Sequence, residues 1–347
     1  MRLNFCTLFD SYYLSRGIAL YNSLELYCGD FHLYIFAFDD KSFTELRNLN
    51  FTRATIISLR DFESEDLLRV KSSRTVAEYC WTCTASTLWY SIKNYELDHC
   101  TYLDADMLFF SSPIQIFNEI GGKSIGITPH NFSANYKTSE VYGKYCVQFI
   151  FIKNDSFGME ALNWWRKSCI EWCYAKLEDG KYGDQKYLDY FEDRFTNVCV
   201  IKEIGCGVAP WNITDYEVKL VDEKLMVALK RKPKESRELI FYHFQGLKFN
   251  DNLELKEVLV TPAIGFVQKK ALEYIYKPYI ISLIEIKAKL QQVIYINKSI
   301  IFRNMVFKMM GLVIRNMFRR YKFVQFIFYN YIKKRYNRPS NLGGVVK

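Results

Sequence analysis

The sequence predicts an α/β fold, with a mainly parallel central sheet covered by helices on both faces. Three observations predict it. Apolar runs of strand length alternate with helix-period segments over residues 3–59. Half of the 347 residues are apolar and only 7 are proline, so a large core can form without interruption. A further apolar run, residues 100–103, ends directly in Asp104-Ala-Asp106, the polar strand end at which such sheets bind ligands.

The elements follow in order. Residues 3–8 form a first strand, 9–13 a loop bearing Asp10 and Tyr13, and 14–26 a helix by apolar spacing. Residues 31–38 form a second strand closed by Asp39-Asp40, 42–48 a helix, and 54–59 a third strand. A long helix over 74–94 delivers the chain to the 100–103 strand, and the apolar run 107–110 follows the two aspartates. Residues 124–128, 145–152 and 198–204 are strand-like, and 156–177 is helical with Trp164, Trp165 and Trp172 as packing residues. Asp184-Gln185 opens a helix after the turn at 180–183. A short strand over 239–243 leads into Phe244-Gln-Gly246-Leu-Lys248.

The charge is uneven. The formal net charge is +9, yet residues 286–347 hold 14 Lys and Arg and no acid, leaving 33 cations against 38 acids in the rest. Within 298–338, Asn304, Lys308, Gly311, Arg315, Arg319 and Lys322 recur at helical steps among Ile, Phe, Met, Leu and Val. No uncharged run reaches the roughly 20 residues that span a bilayer. The expectation is therefore basic amphipathic helices lying on an anionic membrane surface, and no nucleic-acid partner, since such patches carry less aliphatic surface. The start of the chain shows no export signal, and the ten cysteines show no disulfide rhythm. Together these point to reduced thiols and a place on the cytoplasmic face of the membrane. Cys80-Trp-Thr-Cys83 falls at i and i+3 of a helix and reads as packing.

Two carboxylates flanked by apolar sequence are costly without a cation between them. The tripeptide alone recurs by chance in a chain this long; its place at a strand end is the signal. Oxygen ligands suit Mg²⁺ or Mn²⁺. Asp184 is open to two readings, a first-turn helix cap or a site acid. Arg74 likewise serves a phosphate or a surface ion pair, and Trp211 stacks on a sugar or packs in the core.

In order and spacing, the Thr7-to-Gly17 stretch, Asp104-Ala-Asp106, Asp184-Gln185, Val208-Ala-Pro-Trp-Asn212 and His243-Phe-Gln-Gly246-Leu-Lys248 resemble the GT-A nucleotide-sugar glycosyltransferases. The likeness is to the family 8 type and to bacterial surface-polysaccharide sugar transferases, over residues 1–260. The chain departs in lacking Pro-Trp after Lys248, and in having Cys146-Val-Gln148 where the family has Asn-x-Gly. The resemblance implies a Rossmann-like GT-A domain over 1–260; beyond it the sequence reads as a helical connector over 261–297, the amphipathic helices of 298–338 and a flexible 339–347. It implies a metal-dependent, retaining transferase moving a sugar from a nucleotide diphosphate, a UDP-sugar by expectation, to a saccharide or lipid-linked saccharide in surface polysaccharide or lipopolysaccharide synthesis. Asp104, Asp106 and His243 would hold Mn²⁺ or Mg²⁺, with the imidazole favouring Mn²⁺. Thr7, Phe9, Asp10, Tyr13, Arg74, Asp104, Gly246 and Lys248 would bind the donor, and Asp184 and Gln185 would lie at the reacting carbon. A sugar nucleotidyltransferase and a non-catalytic, membrane-docked nucleotide-sugar-binding protein are the alternatives. The former would carry a glycine-rich phosphate loop after its first strand, which residues 9–13 lack.

Overall fold

The computed structural model describes residues 2–247 and 269–290. Lys248 and the basic segment 298–338 lie outside the described residues. A seven-stranded sheet in the order β3-β2-β1-β4-β7-β6-β8 is the frame. It comprises β1 (Leu3–Phe9), β2 (Phe31–Ala37), β3 (Ala54–Ser58), β4 (His99–Leu103), β6 (Ile125–Pro129), β7 (Tyr145–Lys153) and β8 (Val198–Val200). The sheet is parallel except at β7, which runs antiparallel to both β4 and β6. Every residue of β1 and of β4 is buried, as expected of central strands with helices on both faces.

The helices divide between two cores. On one face pack α1 (Leu14–Tyr27) and the last of the described helices, which we call α9 (Lys277–Lys289). On the other pack α5 (Val76–Asn94) and α7 (Ser156–Glu171). Helix α5 begins two residues later than the sequence suggests. Thr75 caps it, accepting from the Glu78 amide at 3.3 Å, while Glu78 accepts from the Thr75 amide at 2.8 Å, a reciprocal arrangement that fixes a helix start. Helix α7 ends at Glu171, short of residue 177, because Trp172 turns to extended backbone.

Some elements are not visible in the sequence pattern. α2 (Asp40–Asn48) is followed after β3 by two short helices, α3 (Leu59–Phe62) and α4 (Glu65–Lys71). A three-stranded antiparallel sheet of β9 (Tyr216–Val221), β10 (Lys224–Leu229) and β11 (Ser236–Glu238) stands apart from the main one. Helix α9, expected as part of a connector, shares the core of α1 through Tyr279, Ile280 and Leu283, as does Tyr276 just before it.

Two features of topology position the site. The chain lays β2 and β3 on one side of β1, then returns to place β4 on the other, so the strand order reverses between β1 and β4. Such a switch point leaves a crevice beyond the carboxyl ends of the two strands. Here β1 pairs with β4 only at Phe5↔Thr101 and Cys6↔Tyr102, and runs three residues past its last partner. The second feature is a separate antiparallel pair, β5 (Met107–Phe109) with β12 (Phe241–His243). It sets His243 opposite Met107, one residue after Asp106.

Candidate metal centre and cleft

Asp104 and Asp106 flank a tight turn between β4 and β5, in which the Met107 amide donates to the Asp104 carbonyl at 3.3 Å. The pairing of β12 is anchored on both sides. The His243 amide donates to the Val208 carbonyl at 3.0 Å, and the Phe244 amide to the Asp106 carbonyl at 2.9 Å. The result is a buried imidazole, 4% exposed, beside two carboxylates. His243 Nε2 lies 3.1 Å from Asp106 Oδ1 and 3.7 Å from Asp104 Oδ2.

The other ring nitrogen is occupied. His243 Nδ1 stands 2.9 Å from Oε1 of Gln148 on β7. A carboxamide oxygen only accepts, so Nδ1 carries the proton and Nε2 faces the acids. Trp211 closes the wall behind, edge-on to the His243 ring at 5.4 Å. It is buried, its indole N–H donating to the His130 carbonyl at 2.8 Å, so its place is in the packing and not on an open sugar-binding face. Asn212 braces the same loop with bonds to the carbonyls of His130 and Gly207.

The electrostatics reflect crowded acids in a dry place. Burial pushes the Asp104 carboxyl up to about 6; His243 opposes that rise and Asp106 adds to it. For Asp106, burial also raises the pKa, but His243 and Arg16 outweigh it and the carboxyl is held below its usual range. His243 is raised well above an ordinary histidine, because the two carboxylates overcome its burial.

Asp184 lies across the cleft. It is 3% exposed and its side chain makes no helix-cap bond; Oδ2 has no hydrogen-bond partner. Burial, with the charge of Asp104 adding to it, pushes its carboxyl up to about 7 against a bond from Thr84. Trp165, fully buried in α7, donates its indole N–H to the Asp184 carbonyl at 2.9 Å and so fixes the backbone there. Gln185 opens the short 3₁₀ segment Gln185–Tyr190, and its Nε2 donates to the Tyr142 carbonyl at 3.1 Å.

The remaining expected residues are placed as follows. Tyr13 is part-exposed, and its phenol is pushed up to about 12 by burial and by Asp106, which puts the ring at the mouth of the cleft. Asp10 spends Oδ1 on the amides of Tyr12 and Tyr13 at 3.0 and 3.2 Å. Thr7 is fully buried in β1, its hydroxyl unpartnered, and the Phe9 carbonyl accepts from Phe38 N at 3.0 Å. The Phe9 ring fills the space that a Cβ on Gly17 would need. Gly246 has φ +75, a conformation that glycine adopts without strain. Arg74 does not turn to the acids by its described contacts. Its guanidinium stacks at 3.8 Å over Tyr174 and donates to the Ile170 carbonyl.

Three residues here escape sequence reading. Arg16, buried in α1, donates through Nη2 to the Leu247 carbonyl at 2.7 Å, covers the Tyr13 ring at 4.5 Å, and its charge acts on Asp106. Tyr279 of α9 stacks on Phe244 at 3.8 Å, and its buried hydroxyl has no partner while feeling Asp106, Arg16 and Tyr13. Gln148 orients the histidine. The signal for Gln148 was present, as the one polar side chain inside the apolar run 145–152. Arg16 and Tyr279 carry no such mark.

The donor set fits a divalent cation. Carboxylate oxygens and an imidazole nitrogen converge from two distant chain segments, residues 104–106 and 243. Among the described residues one cluster of potential metal ligands is close enough to share an ion: Asp104, Cys146 and His243, whose ligand atoms lie within 4.8 Å of one another. All ten cysteines are free thiols, and no described helix is long and apolar enough to cross a membrane.

Fold and site together define a mainly parallel α/β protein with a carboxylate–histidine centre in its switch-point cleft. The chain belongs to the same family as uncharacterized protein YfnD of Bacillus subtilis (strain 168), with 30% identity over 284 residues, 81% of this chain and 88% of YfnD. Uncharacterized protein YfnF of the same strain is 29% identical over 265 residues, covering 74% of this chain and 86% of YfnF. No protein-family model matches the chain. Among solved structures, the chain is similar to the galactosyltransferase LgtC in complex with donor and acceptor sugar analogs, at 12% identity and a TM-score of 0.49 over 82% of this chain and 96% of LgtC. It is also similar to the glycosyltransferase GlyE of Streptococcus pneumoniae TIGR4, at 14% identity and a TM-score of 0.47 over 83% of this chain and 64% of GlyE.

Proposed function

We propose that the chain is a glycosyltransferase of the GT-A type, transferring a sugar from a nucleotide diphosphate, a UDP-sugar, to a saccharide or lipid-linked saccharide acceptor. The observation that carries the reading is the meeting of Asp104, Asp106 and His243 at the switch point, with Nδ1 of the histidine already engaged by Gln148. Asp104, Asp106 and His243 would hold Mn²⁺ or Mg²⁺. When bound, such an ion offsets the negative charge that builds on a departing diphosphate.

The chain's own groups supply the rest. Gly246 lets the backbone come close to a phosphate, and Arg16 and the Tyr279 hydroxyl present donors beside Asp106. Lys248 adds a point charge in this reading. Tyr13 offers its ring to the base at the mouth of the cleft, with Asp10 holding the turn that presents it and the ends of β1 at Thr7 and Phe9 beside it. Arg74 reaches the diphosphate in this reading only by leaving Tyr174. Asp184, with an unpartnered oxygen and close enough to feel the charge of Asp104, and Gln185 next to it would lie at the donor sugar, and retention of configuration belongs to the same proposal. The segment 298–338 would hold the enzyme on the cytoplasmic membrane surface near a lipid-linked acceptor in polysaccharide synthesis.

The test needs no acceptor. The full chain is screened against nucleotide sugars with Mn²⁺ by thermal shift, and stabilising donors are then assayed for slow release of the nucleotide diphosphate. Stabilisation and release with one nucleotide class support the reading. Absence of both across donors with a folded protein refutes it.

A further inference from the structure

Cys146 precedes Gln148 by two residues on β7, and residues two apart on a strand point to the same face. Both side chains reach His243: Gln148 Oε1 lies 2.9 Å from Nδ1, and the Cys146 sulfur lies within 4.8 Å of a ring nitrogen. The thiol is 3% exposed. Its sulfur, a carboxylate oxygen of Asp104 and a ring nitrogen of His243 lie within 4.8 Å of one another. An ion with bonds of about 2.0–2.3 Å can bridge that spacing after a small inward shift. The remaining nine thiols take part in no such cluster among the described residues.

We propose that Cys146 is a protein ligand of the cation centre, so that Asp104, Cys146 and His243 form a mixed oxygen–sulfur–nitrogen site for Zn²⁺ or Cd²⁺. The proposal rests on the reading of this centre as the cation site and adds a ligand to it. On binding, the thiol releases its proton to solvent and the sulfur forms a bond to the ion; nothing is oxidised or reduced. A thiolate adds softness that Mn²⁺ does not use, so it raises the preference for Zn²⁺ over Mn²⁺ beyond what carboxylates and imidazole give. Where zinc is available, this centre fills with it, and Mn²⁺-supported activity is inhibited.

Cd²⁺ is titrated into the reduced full-length chain, with the part-exposed Cys80 and Cys199 replaced by serine to silence other thiols. The readout is the ultraviolet thiolate-to-cadmium charge-transfer band. The expected result is a band that saturates at one equivalent, is absent in Cys146→Ser, and is matched by at least a tenfold fall in that variant's Zn²⁺-over-Mn²⁺ preference. Mn²⁺ binding by the parent with no cadmium band, or a band unchanged in Cys146→Ser, overturns the sulfur ligand and leaves the cation site standing. Failure to bind either ion overturns the cation site and the proposal with it. If the serine variant does not fold, X-ray absorption of the zinc-loaded parent decides: sulfur scattering near about 2.3 Å is expected, and a shell of oxygen and nitrogen alone overturns the assignment.

Discussion

His243 Nε2 lies 3.1 Å from Asp106 Oδ1, although the two residues are far apart in the chain. The antiparallel pair β5–β12 is what joins them. In this arrangement the ring nitrogen faces both acids, and a divalent cation held there would offset their charge. Asp104→Asn and Asp106→Asn should each lower Mn²⁺-dependent hydrolysis of the preferred nucleotide sugar by at least about 100-fold, with the melting temperature unchanged or raised. Unchanged rates in both variants would remove the carboxylates from the chemistry.

Gln148 acts on the centre only through the histidine ring. Gln148→Leu should weaken Mn²⁺ binding by about 10–100-fold, the usual cost of losing a hydrogen bond that orients a ligating histidine. Gln148→Glu keeps an acceptor for Nδ1–H and should restore most of the affinity. If leucine and glutamate variants bind Mn²⁺ alike, Gln148 serves packing alone.

Asp184 gives the fold a pH dependence of its own. Its carboxyl titrates at about 7 when folded, against an ordinary value of 3.8. Between those values the folded chain binds more protons than the unfolded one, so stability from this group falls as pH rises from about 4 to 7 and is flat above. Asp184→Asn should abolish that fall and leave the variant more stable than the parent at pH 8, by on the order of 3 kcal/mol, yet with little difference at pH 4. Urea titrations at the two pH values measure it. A variant less stable than the parent at pH 8 would contradict the burial argument.

Arg16 tests the inner wall of the cleft. Arg16→Lys keeps a charge but loses the fork that meets both the Leu247 carbonyl and the Tyr13 ring. It should raise the donor KM at least about fivefold. Unaltered KM would confine Arg16 to holding the 244–247 turn.

The basic segment gives a separate prediction. The full chain should float with anionic vesicles, and a chain ending at residue 295 should not. Equal recovery in the unbound fraction for both would refute anchoring.

Much of the fold was legible because its strands are buried on both faces and read as uninterrupted apolar runs, as at 3–8 and 145–152. The acids were legible for the complementary reason: Asp104 and Asp106 break such a pattern where no turn residue is needed. What the pattern does not carry is which distant segment completes a site. Arg16 sits in a helix start like many others, and only the fold brings it to Leu247. Tyr279 lies in a segment that reads as a connector, and only its stacking on Phe244 reveals it as a wall. The β9–β11 sheet carries no single pattern: β9 alternates Glu217 and Lys219 with apolar residues, β10 is a short apolar run after Lys224, and β11 is wholly polar.

The most direct measurement is calorimetric titration of Mn²⁺ into the full chain in the presence of UDP, repeated with His243→Ala. The account predicts one ion bound per parent chain and binding weakened at least about 100-fold in the variant. A parent that takes up no ion, or a variant that binds it as well as the parent, would contradict the claim that this imidazole completes a cation site.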